Sequence, residues 1–155
     1  MANNVTPLLT AILACLCTQL ATDGHAVCEC CVVVSDDLPP MTGCDCVCEE
    51  GQGIAWARFV SAAWQQTEVT KCPLGPWEVR LQIGVYRCLT SEPTCETTTA
   101  EADMVAEDIA SLQRAVLCCE ALGGRRYTLS SVQVIGPAGG CVGSALEIVL
   151  ELATL

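Results

Sequence analysis

Residues 77–88, WEVRLQIGVYRC, alternate so regularly that they can hardly be anything but a β-strand. Trp77, Val79, Leu81, Ile83 and Val85 fall on one side, and Glu78, Arg80, Gln82 and Tyr86 on the other, because successive strand side chains point to opposite faces. The pattern predicts one buried and one wet face. That suits an antiparallel sheet, whereas a parallel sheet covered on both sides reads as a continuous apolar run.

The flanking segments supply the rest of the fold. Thr6 followed by Pro7 predicts a helix start, a capping hydroxyl before a proline whose missing N–H costs nothing there. Leu9, Ile12, Leu13, Leu16 and Leu20 then recur at three- and four-residue spacing, and Asp23-Gly24 supplies the stop. Residues 26–35, rich in valine, predict a strand, and Asp36, Asp37, Pro39, Pro40 and Gly43 a loop. Gly51 and Gly53 mark a turn before a strand at 54–64, and residues 71–76 a further loop. Thr98 and Glu101 stand at capping-box spacing, with Glu101 and Asp103 suited to the positive end of a second helix. Met104, Ile109, Leu112, Val116 and Cys119 form its apolar stripe, and Gly123-Gly124 end it. Strands at 126–135 and 141–152 flank the turn Gly136-Pro137-Ala138-Gly139-Gly140. The expected order is helix, three strands, helix, two strands. This is an α+β fold in a single domain over residues 1–155, with two helices packed on one face of a mainly antiparallel sheet.

Charge excludes one class of partner. Eighteen acids against seven bases give a net charge of −11, and only Arg125 and Arg126 are adjacent bases. Specific nucleic-acid binding needs clustered cations. An acidic surface that DNA passes without sticking is compatible with this balance. The apolar start resembles a signal-peptide core, but no Lys or Arg precedes it and Thr, Cys and Gln interrupt it. No run is expected to span a bilayer; the segment reads as an amphipathic helix.

Fourteen cysteines are the unusual feature, six of them within residues 27–48. Cys28 and Cys31 have the spacing of half a zinc knuckle, and Cys44 and Cys48 offer two further thiols, but no second standard pair exists. Disulfides across the proline loop are a second reading, which needs export or exposure after lysis. Free thiols acting as small hydrophobes are the third, applied best to Cys15, Cys17, Cys88, Cys118, Cys119 and Cys141. A redox Cys28–Cys31 pair is disfavoured because it runs into valines and not into a helix N-terminus.

Other chemistry is sparse, and neither a catalytic residue nor a cofactor or metal site is assigned. The single histidine, His25, reads as a solvated turn residue, and no nucleophile elbow or phosphate loop occurs. Asp36-Asp37 and Glu49-Glu50 read as solvated loop charges. Arg125-Arg126 beside Tyr127 suit either a partner's carboxylates or the preceding helix C-terminus. Trp56, Trp64 and Trp77 are candidates for interface or core.

Several strings together resemble the tail-terminator proteins of long-tailed, siphovirus-type phages of actinobacteria. They are the leading helix, GIAWARFVSAAW, WEVRLQIGVYRC, AEADMVAEDIASLQRAVLCC and RRYTLSSVQVIGPAGGCVG, covering nearly the whole chain. The resemblance implies a non-enzymatic virion protein of the tail–neck region, assembled in the host cytoplasm. It implies a homo-oligomeric ring, typically a hexamer, that caps the tail tube, halts its polymerisation and joins tail to head. The implied partners are the tail tube protein and a head–tail connector or stopper, with viral DNA passing the lumen unbound and no membrane. The cysteine-rich segment at 27–48 departs from that family's pattern.

Overall fold

The computed structural model describes residues 4–34, 53–65, 76–89, 92–138, 140–153 and 155. The predicted strand loop at 36–43, Cys44, Cys46, Cys48, Glu49-Glu50 and most of the 71–76 loop lie outside them. Helix α1 (Val5–Thr22) leads to β1 (Glu29–Val33), β2 (Gly53–Trp64) and β3 (Trp77–Cys88). Helix α2 (Cys95–Leu117) and a single 3-10 turn (Glu120–Leu122) follow, then β4 (Tyr127–Ala138) and β5 (Cys141–Leu152). The five strands form one sheet in the order β1-β2-β3-β5-β4. Among the described strands only the β1–β2 pair is parallel; β2–β3, β3–β5 and β5–β4 are antiparallel. The α+β architecture and the mainly antiparallel sheet are as expected.

The main core lies between the helices and one sheet face. Ala55 and Ala57 of β2, Val79, Leu81, Ile83 and Val85 of β3, and Leu146, Ile148 and Leu150 of β5 meet the stripes of both helices. Helix α1 contributes Leu9, Ile12, Leu13, Leu16 and Leu20, the predicted stripe, extended by Val5 and Leu8. Burying such side chains contributes roughly 1.5–3 kcal/mol each, which is why α1 holds to the sheet. By length and composition alone α1 would suffice to cross a bilayer, contrary to expectation; in the fold its apolar stripe belongs to this core.

Three local expectations are corrected. Helix α1 begins two residues early: Asn4 is its N-cap, without a side-chain hydrogen bond, so Thr6 and Pro7 sit inside the first turn. Pro7 is tolerated there because the first four N–H groups have no helical acceptor. Helix α2 starts from Thr94, whose hydroxyl accepts from the Thr97 N–H while Thr97 reaches back to the Thr94 N–H at 2.7 Å. Thr98 is already helical, and Glu96 is the acid of the first turn in place of Glu101 and Asp103. The helix ends at Leu117, before the 3-10 turn, and its buried stripe is Val105, Asp108, Ser111, Leu112, Ala115 and Val116. Strand β1 is shorter than the predicted 26–35.

The larger correction concerns β3, whose second face is wet only in its first half, at Glu78 and Arg80. Gln82 and Tyr86 are buried. Trp56, Tyr86, Cys141 and Ala145 form a second apolar cluster on that face. Gln82 is accepted there because it is partnered, whereas the Tyr86 hydroxyl is buried with no hydrogen bond and is held by ring packing. Arg58 donates to Gln82 Oε1 at 2.8 Å, and its guanidinium stands 5.9 Å from the Trp56 ring centre. Trp56 stacks on Tyr86 at 6.2 Å between ring centres. Burial pushes the Tyr86 phenol up to about 12, with Arg58 opposing. Gly84 makes room for this arrangement, since a Cβ there would collide with the Trp56 ring and the Ser144 carbonyl.

Candidate assembly interface

Among the described strands, β1 and β4 lie outermost and each pairs with one neighbour, and the two edges differ. Strand β4 is 12 residues long. It carries no charged side chain from Tyr127 to Ala138, and its residues 130–134 are exposed. A long edge without charge is a template for pairing with another chain. Strand β1 is short, with Val32 exposed on it and Val34 fully exposed just beyond. Beside it on β2 stand Phe59 and Val60, also exposed.

The helix layer stops short of the β4 edge, while α1 reaches β1 at Cys30. Helix α2 sits over β5 and β3. Val132 and Val134 occupy the helix-side face of β4, since their β5 partners Leu146 and Ser144 face the helices. Val134 is 65% exposed. A groove of about 380 Å³ runs between α2 and β4, lined by Ala102, Ala106, Ile109, Val134, Pro137 and Val142. At the opposite edge a second groove, about 560 Å³, lies between the α1 N-terminus and β1, lined by Val5, Leu9, Val32, Val34 and Phe59. Isolated exposed apolar residues are ordinary; contiguous apolar patches mark contact surfaces. Two unlike patches on opposite edges of one subunit have the geometry of a heterologous, head-to-tail contact.

Buried polar links fix the walls of these grooves. Arg87 of β3 clamps Asp108 of α2 with Nε–Oδ2 at 2.8 Å and Nη2–Oδ1 at 2.7 Å. Its guanidinium also donates to the His25 carbonyl at 2.7 Å and the Ala26 carbonyl at 3.3 Å. One side chain thus ties together β3, α2 and the α1–β1 connection. Asp23, the α1 C-cap, accepts from Ser111 at 2.7 Å, Arg114 at 2.8 Å and Gln19 at 2.9 Å, pinning the end of α1 to α2.

The Ser111 hydrogen bond, then Arg114 and Gln19, hold the Asp23 carboxyl down to about 2. A folded-state value below the unfolded 3.8 means that this stabilisation is complete above pH 4 and lost as pH falls through 2. Asp23→Asn should therefore lower the urea midpoint at neutral pH, and its gap from the wild type should close between pH 4 and 2. A gap that stays constant over that range would show that the ionised carboxylate contributes nothing.

None of these polar links was singled out from the sequence, yet a signal existed. Arg87 continues the odd-numbered apolar face of β3, and Asp108 sits within the apolar stripe of α2. A charge of opposite sign on each of two buried faces is the signature of a pair.

The candidate residues of the sequence fall in separate places. His25 lies in the turn after α1 with Nε2 3.1 Å from Glu107 Oε2. Arg125 donates to the Ala121 carbonyl at 3.2 Å, complementing the 3-10 turn. Trp56 is wholly buried, while Trp64 and Trp77, half-buried, stack at 6.0 Å at the far end of β2 and β3. Asp36-Asp37 and Glu49-Glu50 lie outside the described residues.

The cysteines depart most from the small-hydrophobe reading. Cys15 bonds to Cys119 and Cys17 to Cys30. Cys28, Cys88 and Cys141 are also disulfide-bonded. Cys118 is exposed and not buried within α2, because it caps the helix. Among the described residues no group of three His, Cys, Asp or Glu is placed to hold a metal ion. The Cys28–Cys31 pair does not act as a unit, since Cys28 is oxidised and Cys31 retains a thiol, pushed up by burial and then by Glu29. Adjacent strand residues point to opposite faces, so Cys30 reaches α1 while Cys31 packs near Trp56.

No protein-family model matches the chain, and a search of curated proteins finds no significant match.

Proposed function

We propose that this chain is a ring-forming structural subunit, a tail terminator of a long-tailed phage, acting through shape with no catalytic step. Copies join side by side, the groove beside β4 of one receiving the β1 edge of the next, until the ring closes on the end of the tail tube. The closed ring then offers a surface to the head–tail connector, and its acidic composition suits a lumen through which DNA slides. The reading rests on the resemblance of the sequence to that family and on one observation. The only long uncharged edge among the described strands and the exposed Val32–Val34 edge lie at opposite sides of the sheet, each next to an apolar groove. A stopper or adaptor in the same neck region would use the same geometry. The disulfide framework keeps a third reading in play, a cysteine-rich binding module.

A pair of charge substitutions tests the contact. Val134→Glu places a carboxylate in the β4 groove, and Val34→Glu places one on the opposite edge. Each alone should abolish rings, weakening the contact at least ~100-fold, because an unpaired charge in an apolar contact costs several kcal/mol. A mixture of the two retains one intact contact and should give a heterodimer that cannot grow, read by sedimentation velocity. Rings that survive both substitutions would place the contact elsewhere.

A further inference from the structure

We infer that the Cys17–Cys30 disulfide is a redox-closed lock on the β1 edge, formed after copies have assembled and making the assembly hard to take apart. The inference rests on the reading of β1 as a contact edge. Strand β1 has five residues and pairs only with β2 within the described sheet, in parallel. Short outer strands are the parts of a sheet that open first. Cys30, the second residue of β1, is covalently tied to Cys17 on α1, whose apolar stripe is anchored in the main core. The bridge therefore connects the least anchored strand to one of the best anchored elements.

Access separates this bridge from its neighbour. Cys30 is exposed, whereas Cys119 of the Cys15–Cys119 bridge is 4% exposed. A soluble thiol or disulfide reaches Cys17–Cys30 first, since exchange needs access to a sulfur. A reducing cytoplasm keeps thiols open, so a chain assembled there carries a β1 able to adapt to its neighbour. On release, one thiol attacks an oxidised small-molecule disulfide, expelling one small thiol and forming a mixed disulfide, and the second thiol then displaces the other small thiol from it. Cys17 and Cys30 together lose two electrons and two protons, and the small disulfide becomes two thiols. Stray exchange through Cys31 is disfavoured, because that neighbouring thiol lies on the other face of β1.

The test compares oxidised wild type with Cys17→Ser/Cys30→Ser, which leaves no orphan thiol, and with wild type under mild dithiothreitol. Hydrogen exchange followed by mass spectrometry should show the Glu29–Val33 amides exchanging at least tenfold faster without the bridge, with β3 and β5 unchanged. Rings diluted below their assembly concentration should dissociate at least tenfold faster. Equal β1 protection with and without the bridge overturns the lock. Faster β1 exchange with unchanged ring dissociation overturns its role in holding the assembly but leaves ring formation intact. Absence of rings from both forms removes the assembly reading, while the exchange arm still decides whether the bridge secures β1.

Discussion

Asp108→Ala should destabilise the protein by about 3–5 kcal/mol, the cost of leaving one partner of a buried ion pair without the other. The side chains of Arg87 and Asp108 are 2% and 1% exposed, so neither charge can turn to water when its partner is removed. Removal from the Arg87 side carries a further cost, because the His25 and Ala26 carbonyls lose a donor along with Asp108. Replacing both, as Arg87→Met/Asp108→Leu, should cost less than either single change, since an apolar pair leaves no orphan charge. Urea unfolding of the four proteins at neutral pH checks this. A loss below about 1 kcal/mol for Asp108→Ala would mean that the pair is far better hydrated than its burial indicates. Because Arg87 links β3 to α2, the single variants should also loosen the groove between α2 and β4.

Removing the Cys15–Cys119 bridge as Cys15→Ala/Cys119→Ala should cost about 3–5 kcal/mol. The bridge spans 104 residues, and cross-linking a loop of ~100 residues restricts the unfolded chain by about 4.7 kcal/mol. The lower end of the range allows for other bridges that already shorten the loop in the unfolded chain. Guanidinium unfolding without reductant measures the difference; in excess reductant the wild type and variant should converge. A difference under about 1 kcal/mol without reductant would show that the two sulfurs are not bonded in the folded protein. Folding itself should survive, because the main core is built from aliphatic side chains of both helices and three strands.

The elements themselves were legible where one periodicity runs uninterrupted. Strands β3 and β5 have the expected ends, and the α1 stripe is the expected one, because nothing competes with alternation or with three-and-four spacing in those stretches. The start of α2 is ambiguous in the sequence because TCETTTAE contains several hydroxyls at capping distance, and the box that forms uses Thr97 where Glu or Gln is usual. The covered half of the second face of β3 is hidden by residue type. Gln82 and Tyr86 look wet in a sequence, and only the approach of Arg58 and Trp56 from β2 lets them be buried.

The candidate interface was less legible than the fold. Which strands are outermost depends on order in the sheet, and β5 inserting between β3 and β4 leaves no local mark in the chain. Cysteine pairing was equally out of reach, since Cys17 meets Cys30 only because β1 lies parallel to β2 beside α1. The valines at 32, 34, 132 and 134 read as ordinary strand residues until the fold leaves them exposed.

Electron microscopy of the purified chain mixed with the tail tube protein it is proposed to cap is the most direct measurement. The account predicts closed rings of fixed diameter seated on one end of tubes that have stopped lengthening. A chain that stays monomeric beside tubes growing to the same length as in its absence would contradict it.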